Sequence, residues 1–358
     1  MVVVRNAQVL THDYIPPRLP HREKEYSELI KEFKLMKHGF PPPHLAILGP
    51  TGSGKTVTVR KALVDTGIDH VYLIAESTAY GTLVALGEMV LGKRKWGLSF
   101  APLWNEIDSK LPKPCIIVLD EAEKFMTRDE KSDHLLYYLS RRPQTGLILI
   151  SNRLNLLDYI RDSRVKSSYK PRTILFTPYN ADEIYSIILE RTKEAIGEDY
   201  ESYVDEAALK YIAALAAQKG GDARYAIDLL REGLKQAILE DSPKLIVEHI
   251  DKARTLVEVS YVESSLRMLS RAHKLLLLVI LKGAKRVGEA YSKFNELAPS
   301  YGLKQLSERR LRDVLGDLEL MGFIRVKRMG RQWIITISSW IPTEAKTILE
   351  KDLKLAQI

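Results

Sequence analysis

Residues 49–56 read Gly-Pro-Thr-Gly-Ser-Gly-Lys-Thr, with the apolar run 45–48 ahead of them and a helical pattern over 55–64 behind. A glycine-rich turn that leaves a buried strand and opens a helix lets successive backbone N–H groups converge on one point. The helix N-terminus adds partial positive charge there. This is the P-loop pattern at all eight positions and in the context it needs. It makes Gly49, Pro50, Thr51, Gly52, Ser53, Gly54, Lys55 and Thr56 the expected cradle for ATP or ADP. Lys55 is expected at the β- and γ-phosphates, and the Thr56 hydroxyl on Mg²⁺.

The chain around this loop supplies a matching sheet. Short apolar runs at 71–75, 115–119, 147–151 and 174–176 alternate with helical patterns. Buried strands alternating with helices predict a parallel sheet covered on both faces. The run 115–119 ends in Asp120-Glu121. Asp120 would then stand beside the metal, and Glu121 would polarise the attacking water. Alone, such an ending is often a strand end with solvated acids; downstream of a P-loop it separates hydrolysis from mere holding of nucleotide. Asn152 ends the next strand, where it either orients water or contacts the γ-phosphate, or only caps the strand.

Beyond Pro178 the strands stop. Helical patterns cover 181–195, 205–219, 223–239 and 244–260. The third follows Gly220-Gly221-Asp222 and carries Arg224 near its start, within reach of the γ-phosphate from a lid. Arg161 and Arg164 follow the Asn152 strand. Either is a candidate finger into a neighbouring subunit's site, with surface salt bridging as the alternative. From residue 264 the pattern changes to helices at 266–281, 287–298 and 307–321, then strands at 323–326 and 333–337 joined by the basic turn 327–331. Three helices and a hairpin outline a winged helix. The expected division is a nucleotide-binding base at 1–176 with a Pro-rich extended arm at 1–22, a lid at 177–260, a winged helix at 261–345 and a tail at 346–358; residues 341–358 read as a helix of unknown contact.

The charge is unevenly placed. The net +8 comes from 54 basic and 46 acidic side chains. Residues 1–261 hold 36 of each sign, 262–340 hold 15 basic and 7 acidic, and 341–358 hold 3 of each. The whole excess falls in the winged-helix segment, which favours a polyanion, although a solvated basic surface gives the same count. The third helix of a winged helix enters the major groove by its N-terminal residues. Those are Ser307, Arg309 and Arg310, with Lys304 and Gln305 just ahead. Arg328 and Arg331 on the wing would grip phosphate or the minor groove. A protein-binding winged helix is the alternative use of the fold. The single cysteine excludes an intramolecular disulfide framework and a cysteine-built zinc site. No apolar run approaches the ~20 residues of a membrane helix, and the first ten residues lack the order of a signal peptide. A soluble, cytoplasmic, nucleoid-associated protein with no membrane partner is expected.

Taken together, the P-loop, Asp120-Glu121, Asn152 and Arg224 resemble the AAA+ ATPases. More closely, the chain resembles the archaeal replication initiators related to the origin recognition complex and the cell-division-cycle loader, from about residue 14 to 337. The resemblance is carried by Tyr14-Ile15-Pro16, Leu19-Pro20-His21-Arg22-Glu23, Arg164-Val165-Lys166-Ser167-Ser168, Phe176-Thr177-Pro178-Tyr179-Asn180-Ala181 and Gly221-Asp222-Ala223-Arg224. It implies an α/β fold: an AAA+ P-loop parallel-sheet domain, an all-helical lid and a C-terminal winged-helix domain. It implies that the arm, with Tyr14, Ile15 and Arg22, borders the adenine pocket, and that Arg164 is the better finger. It also implies a helical insertion near 87–107 that touches duplex DNA, with Lys93, Arg94, Lys95 and Trp96 at its turn, where a solvated basic turn is the plainer reading. The implied role is slow, switch-like ATP hydrolysis on double-stranded origin DNA, with the replicative helicase and paralogous initiators as partners. A regulator of origins or promoters without loading activity, and a signalling ATPase whose winged helix binds protein, remain as alternatives.

Overall fold

The computed structural model describes residues 2–267, 269–330, 332–338, 341–342 and 344–355, except for the side chains of residues 320 and 355. The chain forms two compact units, Met1–Ile250 and Asp251–Ile358. The first is built on five parallel strands: β1 (Leu45–Leu48), β2 (His70–Ile74), β3 (Cys115–Asp120), β4 (Thr145–Ser151) and β5 (Arg172–Leu175). Their order across the sheet is β2-β3-β4-β1-β5. The three middle strands are buried along their whole length, which is why they read as unbroken apolar runs.

Side chains of one strand alternate between the two faces. Ile117 and Leu119 of β3 pack with Leu86, Leu103 and Leu139 of the helices Ala79–Leu91, Phe100–Lys110 and Ser132–Arg141. Ile116 and Val118 pack on the opposite face with Phe33 of helix Glu23–Lys37 and Leu63 of helix Lys55–Thr66. The register sets Leu48 opposite Ser151 on one side and Leu175 on the other. The loops that leave the carboxyl ends of β1 and β4 therefore start side by side, the place where open parallel sheets bind ligands.

Helices Ala181–Ile196, Glu206–Gln218 and Ala223–Leu239 follow the sheet. Each has a side-chain cap: Asn180, in a reciprocal capping box with Glu183, then Asp205 and Asp222. The amino-terminal segment departs from the extended arm expected of it. It contains a 3₁₀ turn, Ala7–Leu10, and buries Val2, Val9 and Leu10.

The second unit holds helices Arg271–Leu281, Val287–Leu297 and Glu308–Leu320, then the antiparallel hairpin β6 (Ile324–Met329) and β7 (Gln332–Ile337). One expectation is corrected here. The apolar stretch 266–281 is two helices: one ends at Arg267, and the next starts at Arg271 with Ser270 capping it through His273 N. Leu266 and Leu269 flank the break yet are buried in the same core, so the apolar pattern runs across it without interruption. The carboxyl-terminal segment, expected as a helix of unknown contact, contains the helix Ala345–Leu355, and Ala345, Leu349 and Leu353 are buried in that core. Among the described residues, no helix is long and apolar enough to cross a membrane.

Candidate functional site

The loop between β1 and helix Lys55–Thr66 takes left-handed backbone at Gly52 (φ 70°) and Gly54 (φ 91°), which glycine adopts without strain. Lys55 is only 8% exposed, and its Nζ donates to the carbonyls of Gly49 and Pro50 at 2.8 and 2.7 Å. Burial pulls its pKa down to about 8 against the opposing field of Asp120; the Arg224 charge adds to the fall.

Thr56 Oγ1 donates to Asp120 Oδ2 at 2.8 Å. The Tyr72 hydroxyl, from β2, donates to the same oxygen. The Glu121 N–H donates to the other oxygen, Oδ1, at 2.8 Å. Arg60 lies over the Tyr72 ring, 4.7 Å from its centre. Burial first, and then the Asp120 charge, push the Tyr72 hydroxyl far above its ordinary pKa, so it stays a donor. Asp120 and Thr56 offer two hard oxygens. That set fits Mg²⁺, which binds through one or two protein oxygens and completes its shell with phosphate and water. Among the described residues, no group of three or more acidic, histidine or cysteine side chains could hold a metal unaided.

Glu121 has φ 56°, a left-handed backbone for a residue with a side chain, and so a strained one. Its carboxylate pairs with Lys124 at 2.5 Å. Glu123, which the sequence reading passed over, has one buried carboxylate oxygen with no hydrogen-bond partner, and its charge is felt at Lys55. Asn152 is exposed just beyond β4, and the Gly49 N–H donates to the Ser151 carbonyl at 3.3 Å, so Asn152 stands beside the start of the P-loop.

A cleft of about 960 Å³, open to solvent, is walled by three segments: the arm over 11–20, the P-loop over 52–57, and the lid. Tyr14, Ile15 and Arg224 all line it. The arm is fastened to the lid. The Tyr14 hydroxyl donates to Glu194 at 2.5 Å, and Arg191 lies over its ring at 4.7 Å. Arg191 donates to the Val9 carbonyl, Arg231 donates to that of Leu10, and His12 meets Asp228 at 3.0 Å. Arg22 lies elsewhere. It is buried, donates to the carbonyls of Ser53 and Thr177, and stacks 3.8 Å from the Tyr179 ring. It braces the P-loop through Ser53 and is not among the residues lining the cleft, unlike Tyr14 and Ile15 of the same expected group.

The lid reaches the P-loop directly: the Ala223 N–H donates to the Gly52 carbonyl at 3.2 Å. Asp222, capping that helix through the N–H groups of Arg224 and Tyr225, lies against Gly52. Arg164 and Arg161 are both exposed. Arg164 pairs with Asp162 at 2.7 Å and lies over Tyr137. The backbone N–H groups of Arg161 and Asp162 are held by the buried Asp133 carboxylate at 2.8 and 2.6 Å.

The basic turn between helices Ala79–Leu91 and Phe100–Lys110 is partly neutralised. Arg94 pairs with Glu76 and Glu88 and lies over Trp96, and Lys95 pairs with Glu106. Lys93 is exposed, and Trp96 is 61% exposed. In the winged helix, the Ser307 hydroxyl is taken up as the cap of helix Glu308–Leu320. Lys304, Gln305, Arg309 and Arg310 are exposed around that helix start. Arg310 lies 3.9 Å from Asp313, and Arg312 pairs with Glu308. Arg328 is exposed on the hairpin, and its Nε donates to the Gly330 carbonyl. Arg331 lies outside the described residues.

A five-stranded parallel sheet with a P-loop, an acidic strand end and a helical lid, followed by a winged helix, defines an AAA+ ATPase-type protein. The model of the Cdc6 AAA+ ATPase-type lid domain matches residues 185–255, and that of the CDC6 C-terminal winged helix domain matches 264–349. An ORC1-type DNA replication protein of Methanothermobacter thermautotrophicus is 34% identical over 337 residues, covering 91% of this chain and 90% of the relative. ORC1-type DNA replication protein 1 of Sulfurisphaera tokodaii is 31% identical over 385 residues, covering 99% and 95%. The structure of the Aeropyrum pernix ORC1 protein in complex with DNA superposes with a TM-score of 0.86 at 30% identity, covering 99% and 98%. The chain belongs to the Orc1/Cdc6 family of ORC1-type DNA replication proteins.

Proposed function

We propose that this protein is an ATP-dependent DNA replication initiator that binds double-stranded origin DNA and helps recruit or load the replicative helicase, with paralogous initiators as partners. The observation that carries the proposal is the pairing of a complete nucleotide cleft with a winged helix that holds the chain's entire +8 excess. Its support is the family to which the chain belongs, and the DNA that its A. pernix relative holds.

The chemistry follows from the site. Incoming phosphates compete for Lys55, now occupied by the Gly49 and Pro50 carbonyls, and restore its full charge. Thr56 and Asp120 would hold Mg²⁺, which would supply charge neutralisation at the phosphates. Glu121 polarises water once it leaves Lys124, and Asn152 and Arg224 border the γ-phosphate. The strained backbone and the Lys124 pair favour slow hydrolysis, as suits a switch. The contact of Asp222 and Ala223 with Gly52 makes the lid sensitive to the nucleotide. Arg164 is the trans-acting finger. Lys304, Gln305, Arg309, Arg310, Arg328 and Arg331, with Lys93 and Trp96 in the base, grip the duplex.

The test is a genome-wide footprint of the full chain on fragmented source DNA with ATP or ADP, repeated with Arg310→Ala and Arg331→Ala. A few sharp sites near the replication start, weakened by both substitutions, are expected. Diffuse enrichment, or none, overturns the origin-binding reading.

A further inference from the structure

Asp120 is the one carboxylate of the site held at both oxygens: Oδ1 by the Glu121 N–H, and Oδ2 by Thr56 and Tyr72 together. The Thr56 oxygen can offer a lone pair to a cation while its proton stays on Asp120, so Thr56 belongs to the metal's own ligand set. The Tyr72 hydroxyl reaches Asp120 from the neighbouring strand and serves only to hold it. Tyr72 comes from β2, whose Leu73 and Ile74 pair in register with Leu119 and Asp120, so its ring is carried on the strand beside the carboxylate. Arg60 covers that ring at 4.7 Å and is itself 3.7 Å from Asp13 on the arm. A phenol on a rigid strand, clamped by a guanidinium, fixes the rotamer of the group to which it donates.

We infer that Tyr72 is a positioning residue for the metal: its hydroxyl holds Asp120 in the orientation that receives Mg²⁺, and so sets how tightly the cation joins the bound nucleotide. The inference rests on the proposed Mg²⁺-nucleotide site and names the group that tunes it. Partners of this kind, one bond removed from the metal, typically change its affinity by about 10–100-fold when lost.

The experiment is a Mg²⁺ titration of a fluorescent ATP analogue bound to the full chain, followed by binding and not by turnover. Tyr72→Phe deletes one oxygen and keeps the ring under Arg60. It should raise the Mg²⁺ half-saturation concentration by about tenfold and leave metal-free analogue binding unchanged. In an Asp120→Ala background the same substitution should add nothing, since its acceptor is gone. An unchanged or lowered half-saturation in Tyr72→Phe overturns the inference, as does an equal effect in the Asp120→Ala background. Failure of the wild-type chain to bind the analogue at all would instead overturn the nucleotide site.

Discussion

An Asp222 carboxylate oxygen lies 1.9 Å from the point where a Cβ on Gly52 would stand. The cap of a lid helix thus fills the space that the P-loop leaves by having no side chain. Gly52→Ala must push Asp222 away and hold a left-handed backbone at φ 70°, at a cost on the order of 1–3 kcal/mol. A lowered melting midpoint and at least tenfold weaker ATP binding are expected; calorimetry that finds both unchanged would contradict the contact.

Lys55 gives a pH dependence with a definite sign. Its pKa is about 8 when folded and near the ordinary 10.5 when unfolded. Below pH 8 both states carry the proton, and the buried charge opposes folding. From pH 8 to 10.5 the folded state has released a proton that the unfolded state keeps, so apo stability rises with pH. Nucleotide acts the other way. Phosphates favour charged Lys55, so binding takes up a proton above pH 8 and affinity falls as pH rises. Isothermal calorimetry at pH 7 and 9, in buffers of different ionisation enthalpy, measures that uptake.

Glu121→Gln keeps the shape of the side chain but removes its basicity. Single-turnover hydrolysis should drop by about 10²–10⁴, with ATP binding retained. Wild-type hydrolysis by this variant would remove Glu121 from the chemistry.

The two arginines at the start of helix Glu308–Leu320 should differ. Arg310 is tethered to Asp313, whereas Arg309 is exposed and has no ion pair among the described residues. Arg309→Ala is expected to weaken duplex binding about tenfold, and Arg310→Ala by less. Fluorescence anisotropy across about 50–200 mM salt measures both losses, and a lost phosphate contact lowers the salt slope by about one. The reverse order would be evidence against this docking face.

Leu349 tests the closing helix of the second unit. It is fully buried, so Leu349→Ala should cost about 2–5 kcal/mol, read as a fall in the unfolding midpoint in denaturant. A dispensable tail would show no change.

The parts of this molecule that were legible in the sequence are those whose physics is local. The P-loop stands out because a phosphate nest needs glycine at fixed spacing. The strands 115–119 and 147–151 stand out because burial on both faces forces continuous apolar runs. Asp120, Glu121 and Asn152 follow as strand ends. What stayed hidden depends on partners far along the chain. Arg22 reads as part of the arm at the adenine pocket until Ser53 and Thr177 supply its acceptors. Tyr72 reads as an ordinary strand aromatic until Asp120, 48 residues later, accepts its proton. The break at Ser270 was concealed because apolar periodicity continues through it.

The fastening of the arm to the lid has a consequence for how the molecule is made. Leu10 leaves the ribosome 221 positions ahead of Arg231, which binds its carbonyl. At the ~5–20 residues per second of synthesis, the arm waits roughly 10–40 s for that partner. One wall of the cleft is therefore synthesised well before the lid that fastens it, and the cleft cannot close until that helix has emerged.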